Sequence, residues 1–126
     1  MSDFEETLVL VKPDGVARQL TGEILRRIEA KGYELVDLKM LTAPRDLLDA
    51  HYEEHQGKPF FEPLVEFMQS GPVVAVRVAG NGAIAGFRSL AGTTDPTSAA
   101  PGTIRGDLGR DWGLKVQPDL VHGSDS

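Results

Sequence analysis

The sequence predicts an α+β fold, a four-stranded antiparallel sheet with helices packed on one side of it. Three observations carry that reading. Apolar runs rich in β-formers alternate with segments of helical period in the order β-α-β-(αα)-β-α-loop-β. No internal repeat and no change of composition divides the 126 residues into two domains. The one long irregular stretch, residues 93–118, is rich in Gly, Thr, Asp, Pro and Ser and stands directly before a last short strand, where a functional loop is expected.

Thr7 to Val11 is an unbroken apolar run, the mark of a strand covered on both faces, and it runs into a turn at Lys12-Pro13-Asp14-Gly15. From Gly22 to Lys31 the residues Ile24, Leu25 and Ile28 recur at helical spacing. Glu23 and Arg27 stand four apart there, and Gly32 can supply the left-handed position after the helix. Tyr33 to Leu41 alternates, with Val36, Leu38 and Met40 on one side, so it reads as a strand with one wetter face. Two short helices follow, about Arg45 to Glu54 and Phe61 to Ser70, the second with an apolar stripe of Phe61, Leu64, Val65 and Met68.

Pro72 to Ala79 is the third strand, with proline at its first position, where a missing donor matters least. Asn81 is expected to cap a helix from Gly82 to Ala91 that turns Ile84, Phe87 and Leu90 or Ala91 inward, and Gly92 ends it. Leu120 to His122 is the fourth strand. This order is that of a ferredoxin-like sandwich.

Composition bounds the chemistry. Hydrophobic residues at 40% and charged residues at 25% are those of an ordinary globular protein. With no cysteine, a disulfide framework, a thiolate zinc site and a thiol nucleophile are all excluded, which suits a reducing cytoplasm. The first six residues are acidic where a signal peptide is basic, and no apolar run reaches membrane-spanning length, so the chain reads as cytosolic with no membrane partner. A net charge of -6 repels polyanions and argues against general nucleic-acid binding. Any phosphate must be held by a local cluster of cations.

Some motifs fail. There is no Gly-x4-Gly-Lys-Ser/Thr phosphate loop, and in Gly80 to Gly86 the last glycine comes one residue too late for a dinucleotide fingerprint. His51-Tyr52-Glu53-Glu54-His55 matches the His-x-x-Glu-His pattern of inverted zinc peptidases. A catalytic zinc needs a third protein ligand, which the sequence does not nominate, and an acidic solvated helix explains these residues as well.

The C-terminal run Leu120-Val121-His122-Gly123-Ser124-Asp125-Ser126 places a histidine at a strand end before turn-forming residues. An imidazole with a pKa near about 6.5 keeps a lone pair at neutral pH for attack or proton transfer. Lys12, Arg88 and Arg105, far apart in sequence, could converge at one sheet edge near His122, with Thr94 as a hydroxyl donor. Cations around a histidine suit phosphoryl transfer, which asks the protein chiefly for in-line positioning and charge neutralisation, usually with Mg²⁺.

On Val11-Lys12-Pro13-Asp14-Gly15-Val16, Gly22-Glu23-Ile24, His51-Tyr52 with Lys58-Pro59-Phe60-Phe61, Ser70-Gly71-Pro72-Val73, Pro101-Gly102-Thr103-Ile104-Arg105-Gly106-Asp107 and the final His122-Gly123-Ser124-Asp125-Ser126, the chain resembles the nucleoside diphosphate kinases. The resemblance spans nearly the whole chain as a single domain, residues 1–126. It implies a ping-pong exchange in which a nucleoside triphosphate, ATP or another, gives its γ-phosphoryl to His122 and the phosphohistidine passes it to a different diphosphate. It also implies Mg²⁺ on the nucleotide phosphates with no metal ligand from the protein, and a homo-oligomer, hexamer or tetramer.

Carried over by position, Lys12 would contact ribose and the transferred phosphate, Arg88 and Thr94 the β-phosphate, and Arg105 the γ-phosphate. Phe60, Leu64 and Val116 would sandwich the base, and stacking without base-edge hydrogen bonds implies low base specificity. Tyr52 and Ser124 would steady His122 by hydrogen bonding.

Three departures stand out. Asp119 occupies the position where the family usually has an asparagine that bonds the ribose. A carboxylate accepts but cannot donate, and at about 7 Å and an effective dielectric of about 20 it repels a phosphate charge by roughly 2 kcal/mol. The segment between Arg105 and His122 is longer than the family's, through Gly109 to Gly113. The sequence ends at Ser126, where the family continues into a helix with a glutamate that bonds the catalytic imidazole. Reduced turnover is therefore expected, and a nucleotide-binding scaffold that has lost turnover is the alternative.

Overall fold

The computed structural model describes residues 3–53, 56–59, 61–113 and 119–124, the side chain of His51 excepted. Its elements are β1 (Phe4–Val11), α1 (Pro13–Ala17), α2 (Thr21–Ala30), β2 (Glu34–Leu41), α3 (Arg45–His51), α4 (Phe61–Met68), β3 (Val73–Asn81), α5 (Ala83–Ala91), α6 (Ile104–Leu108) and β4 (Val121–Gly123). The sheet runs β2-β3-β1-β4 with every neighbour antiparallel, the ferredoxin-like arrangement that the segment order predicts.

β1 lies inside the sheet, and its alternating residues feed two cores. Val9 and Val11, with Val74, Val76 and Val78 of β3, pack against Ile24 and Ile28 of α2, Phe87 of α5 and Ile104 of α6. Leu10 and Val73 turn the other way, onto Leu48, Tyr52, Phe61, Val65 and Met68. The helices are thus not confined to one face: α3 and α4 cover the second face at the end of β1 that leads to Lys12.

α2 ends as its sequence predicts. Gly32 takes a φ of 106°, its N–H donates to the Glu29 carbonyl at 2.9 Å, and the Tyr33 N–H donates to the Ile28 carbonyl at 3.3 Å. Glu23 accepts from Arg27 Nε at 2.7 Å across one turn. At α5, by contrast, Asn81 is the last residue of β3 and does not cap; Gly82 takes the cap position with a left-handed φ of 65°. Tyr33 lies against Gly80 and Gly86, where a Cβ would collide with its ring, so these glycines make room for an aromatic side chain instead of a dinucleotide.

β2 departs furthest from its pattern. Its register slips between Leu35 and Asp37, and the apolar side is the exposed one, with Val36, Leu38 and Met40 at 42, 48 and 61% exposure. β2 is an edge strand, and α2 and α5 do not reach over its outer side chains.

Candidate active site

The C-terminal strand is short because of one residue. Leu120 is expected to begin β4 but adopts a left-handed φ of 74°, a conformation that costs a bulky residue about 1–3 kcal/mol. It is held there from three sides: its side chain is fully buried, its N–H donates to Asp14 Oδ2 at 3.1 Å, and its carbonyl accepts the Lys12 N–H at 2.8 Å. The chain straightens at Val121, and β4 pairs with β1 so that His122 lies opposite Leu10. The rings of Tyr52 and His122 are 5.8 Å apart between centroids, inclined at 59°. Ser124 is fixed by its backbone, its N–H donating to the Leu8 carbonyl at 2.8 Å.

α5 approaches β4 closely. A Cβ on Gly123 would lie 2.8 Å from Phe87 Cδ2, so the glycine after the histidine lets α5 settle against the strand. Arg88, the next residue of α5, then lines a cleft with His122, Thr93, Thr94, Arg105, Gly92 and Gly123. The cleft has a volume of about 300 Å³, at the lower end of the range for small-molecule sites.

Arg105 reaches this cleft from α6, the helix that punctuates the long loop. Thr103 caps α6, its hydroxyl accepting the Gly106 N–H at 2.9 Å. The Arg105 guanidinium then joins three elements, donating to the carbonyls of Gly92 at 2.8 Å, Asp119 at 3.1 Å and Val121 at 2.7 Å. It ties the end of α5 to both sides of the Leu120 kink. Burial pulls its pKa down from the usual value, and the negative charge of Asp119 opposes that shift.

Lys12 and Asp119 form a buried pair beside the cleft, Nζ to Oδ1 at 2.5 Å, while Asp119 Oδ2 lies 3.5 Å from Arg105 Nε. Asp14 completes the group. Burial raises its carboxyl above the ordinary range, against the lowering pull of Lys12, and its Oδ1 is buried without a hydrogen-bond partner among the described residues. Tyr52 is pushed up to about 12, by burial first and then by the charge of Asp119, so its phenol stays protonated at neutral pH.

Four of the expected residues, His122, Arg88, Thr94 and Arg105, therefore line one cleft, and Tyr52 stands beside the histidine. Lys12 is not among the lining residues; it is turned to Asp119. Leu64, on α4, packs against the second core and is not among the residues that line the cleft. Phe60 and Val116, expected to sandwich the base, lie outside the described residues, as does His55. α3 ends at His51, three residues short of the expected end at Glu54. No group of three His, Cys, Asp or Glu placed to hold a metal occurs among the described residues.

Asp14, which supports this buried group through Leu120 and Lys12, is read in the sequence only as part of a turn. Its signal is Pro13 at the first position of a helix followed by an acid in the first turn, which marks α1.

The chain is similar to known proteins along nearly its whole length. The family profile "Nucleoside diphosphate kinase" matches residues 5–126. The nucleoside diphosphate kinase of Thermobifida fusca is 58% identical over 123 residues, 98% of this chain and 88% of that protein. That of Mycobacterium avium is 61% identical over 123 residues, 97% of this chain and 88% of that protein. The solved structure of a halophilic nucleoside diphosphate kinase from Halobacterium salinarum in complex with CDP superposes with a TM-score of 0.90 at 49% identity, covering 96% of this chain and 77% of that one.

Proposed function

The chain belongs to the nucleoside diphosphate kinase family and is an enzyme that moves a phosphoryl group between nucleoside tri- and diphosphates; on that premise we propose that His122 is the group's carrier. The observation that carries the proposal is the single cleft in which His122 faces Arg88, Arg105 and Thr94. An imidazole nitrogen attacks the γ-phosphorus in line, the bond to the bridging oxygen breaks, and the diphosphate leaves. The reverse transfer to a second diphosphate regenerates the neutral imidazole.

Arg88 and Thr94 hold the β-phosphate in this scheme, and Arg105 the γ-phosphate, as guanidinium forks suit phosphate oxygens. Tyr52, a protonated phenol, and Ser124 steady the ring of His122. Phe60, Leu64 and Val116 stack the base, giving low base specificity. Among the described residues the cleft's lining contains cations and hydroxyls but no carboxylate, which fits Mg²⁺ bound to the nucleotide phosphates. Mg²⁺ so bound supplies charge neutralisation at the phosphates. The scaffold alternative, a fold without turnover, is not favoured by identities near 60% along almost the full chain.

The outer edge of β2 supports a homo-oligomer. That edge is unpaired among the described residues, and Val36, Leu38 and Met40 are exposed along it. A second copy adding its own β2 would cover them. A cytoplasmic location accords with the absence of cysteine and of any described helix long and apolar enough to cross a membrane.

Intact mass after brief incubation with ATP and Mg²⁺ tests the mechanism. One phosphoryl group is expected on the wild type and none on His122→Ala, and added GDP should discharge it as GTP. A phosphoryl group that persists in His122→Ala would overturn the assignment.

A further inference from the structure

Of the three cations expected around the nucleotide, Arg88 and Arg105 line the cleft of His122 and Lys12 does not. Lys12 Nζ lies 2.5 Å from Asp119 Oδ1, and the two side chains are only 9 and 7% exposed. A charge-assisted bond out of water is strong, and removing one partner leaves an uncompensated buried charge. The amide usual at this position in the family could accept from the lysine but would not neutralise it.

Asp119 is itself well anchored. Its carbonyl accepts from Arg105 Nε at 3.1 Å, and its Oδ2 stands 3.5 Å from the same nitrogen. The backbone on its far side is set by the Leu120 kink. The carboxylate therefore stays on a fixed backbone when Lys12 moves. It does retain a second cation, Arg105, against which its charge can rest.

We propose that Asp119 is a latch on Lys12: it holds the ammonium in a closed ion pair that nucleotide phosphates must open before Lys12 can serve the transferred group. This deepens the function proposed above and rests on it. The arrangement makes the phosphates compete with an internal carboxylate for one cation, so the latch weakens nucleotide binding without removing any group from the cleft. It also differs from simple repulsion between Asp119 and phosphate, because a latch acts only while Lys12 is present.

A double-mutant cycle on the affinity of a non-hydrolysable ATP analogue separates these cases, measured calorimetrically with Mg²⁺ on wild type, Asp119→Asn, Lys12→Gln and the pair. Asp119→Asn is expected to tighten the analogue on the order of tenfold, as for a close charge pair. In the Lys12→Gln background the same change should have less than about a twofold effect. Equal tightening in both backgrounds would replace the latch by plain repulsion, and no tightening in either would overturn it.

A second readout does not need the Lys12→Gln variants to fold. Reductive methylation followed by peptide mass should label Lys12 far more slowly than the exposed Lys31 and Lys39 in the wild type, and several-fold faster in Asp119→Asn. Unchanged labelling would also overturn the latch. Phosphorylation of His122 is scored on the same samples. If it occurs while the cycle shows no coupling, the latch fails and the function stands; if it does not occur, the underlying function fails.

Discussion

Arg105 illustrates how one side chain can serve both fold and site. Its three carbonyl partners belong to the end of α5 and to both sides of the kink at Leu120. A lysine keeps the charge but not the planar fork, and it would leave at least one buried carbonyl without a donor. Arg105→Lys is therefore expected to cost on the order of 2–4 kcal/mol of stability as well as activity. A melting temperature equal to the wild type's would show that these bonds carry no net stability. Tyr52 separates the two roles more cleanly, because Tyr52→Phe keeps the ring that packs in the second core and removes only the hydroxyl. The phosphoryl transfer rate should fall on the order of tenfold, the worth of about one hydrogen bond, with the melting temperature little changed. Single-turnover phosphorylation of His122 measures it; an unchanged rate would remove Tyr52 from the mechanism. That His122, Arg88 and Thr94 would line one cleft was open to reading from residue type and family spacing. The turn of Lys12 toward Asp119 was not, since a sequence gives the charges of two residues 107 positions apart but not which of several neighbours each will face.

At the scale of elements, periodicity succeeded where one side of a segment is buried by the segment's own neighbours. β1, α2, α4 and β3 lie within two or three residues of where alternation or helical spacing puts them, because Val9, Ile24, Val65 and Val76 leave few alternatives. It failed where five-residue helices depend on tertiary partners: α1 and α6 are too short to show a period. Leu120 was legible as a strand residue by its type alone, and only the bonds from Asp14 and Lys12 turn it left-handed. The contact of α5 with β4 can be tested through Gly123→Ala. The added methyl meets the Phe87 ring and must push α5, with Arg88, away from His122, at a cost of about 1–3 kcal/mol. A lower melting temperature with a raised KM for nucleotide is expected, and a raised KM without loss of stability would place the effect in the cleft instead. α2 offers a pH test. Glu23 is held down to about 2 by hydrogen bonds from Arg26 and then Arg27, so its contribution to stability is complete above the unfolded value near about 4.3 and fades as pH falls toward 2. The melting-temperature difference between wild type and Glu23→Gln should be constant above about pH 5.5, shrink as pH falls through about 2 and vanish near about pH 1. A difference that persists undiminished at about pH 1 would assign it to something other than this carboxylate.

For the whole molecule, the decisive surface is the one the alternation of β2 misrepresents. An apolar side on a strand is ordinarily the core side, yet here Leu38 and Met40, in register with Val76 and Val74, project past the helices into solvent. The slip between Leu35 and Asp37 marks off a regular run, Asp37 to Leu41, as the segment that could pair with another strand. A two-fold axis beside it would place identical strands antiparallel, satisfy the outward backbone groups and cover Leu38 and Met40 on both copies. Each such side chain, fully covered, contributes about 1.5–3 kcal/mol, and four of them across the axis outweigh much of the entropy lost on association. The same symmetry makes the surface easy to break, because a lysine introduced on one copy meets or neighbours its equivalent on the other. Leu38→Lys combined with Met40→Lys is therefore expected to dissociate the protein to monomers at micromolar concentration, with far-ultraviolet circular dichroism unchanged, since both side chains already stand in solvent in the single chain. Sedimentation velocity on both proteins decides it. A wild type that sediments as a monomer at about 100 μM, or a double variant that stays associated, would mean that copies of this chain do not meet through β2.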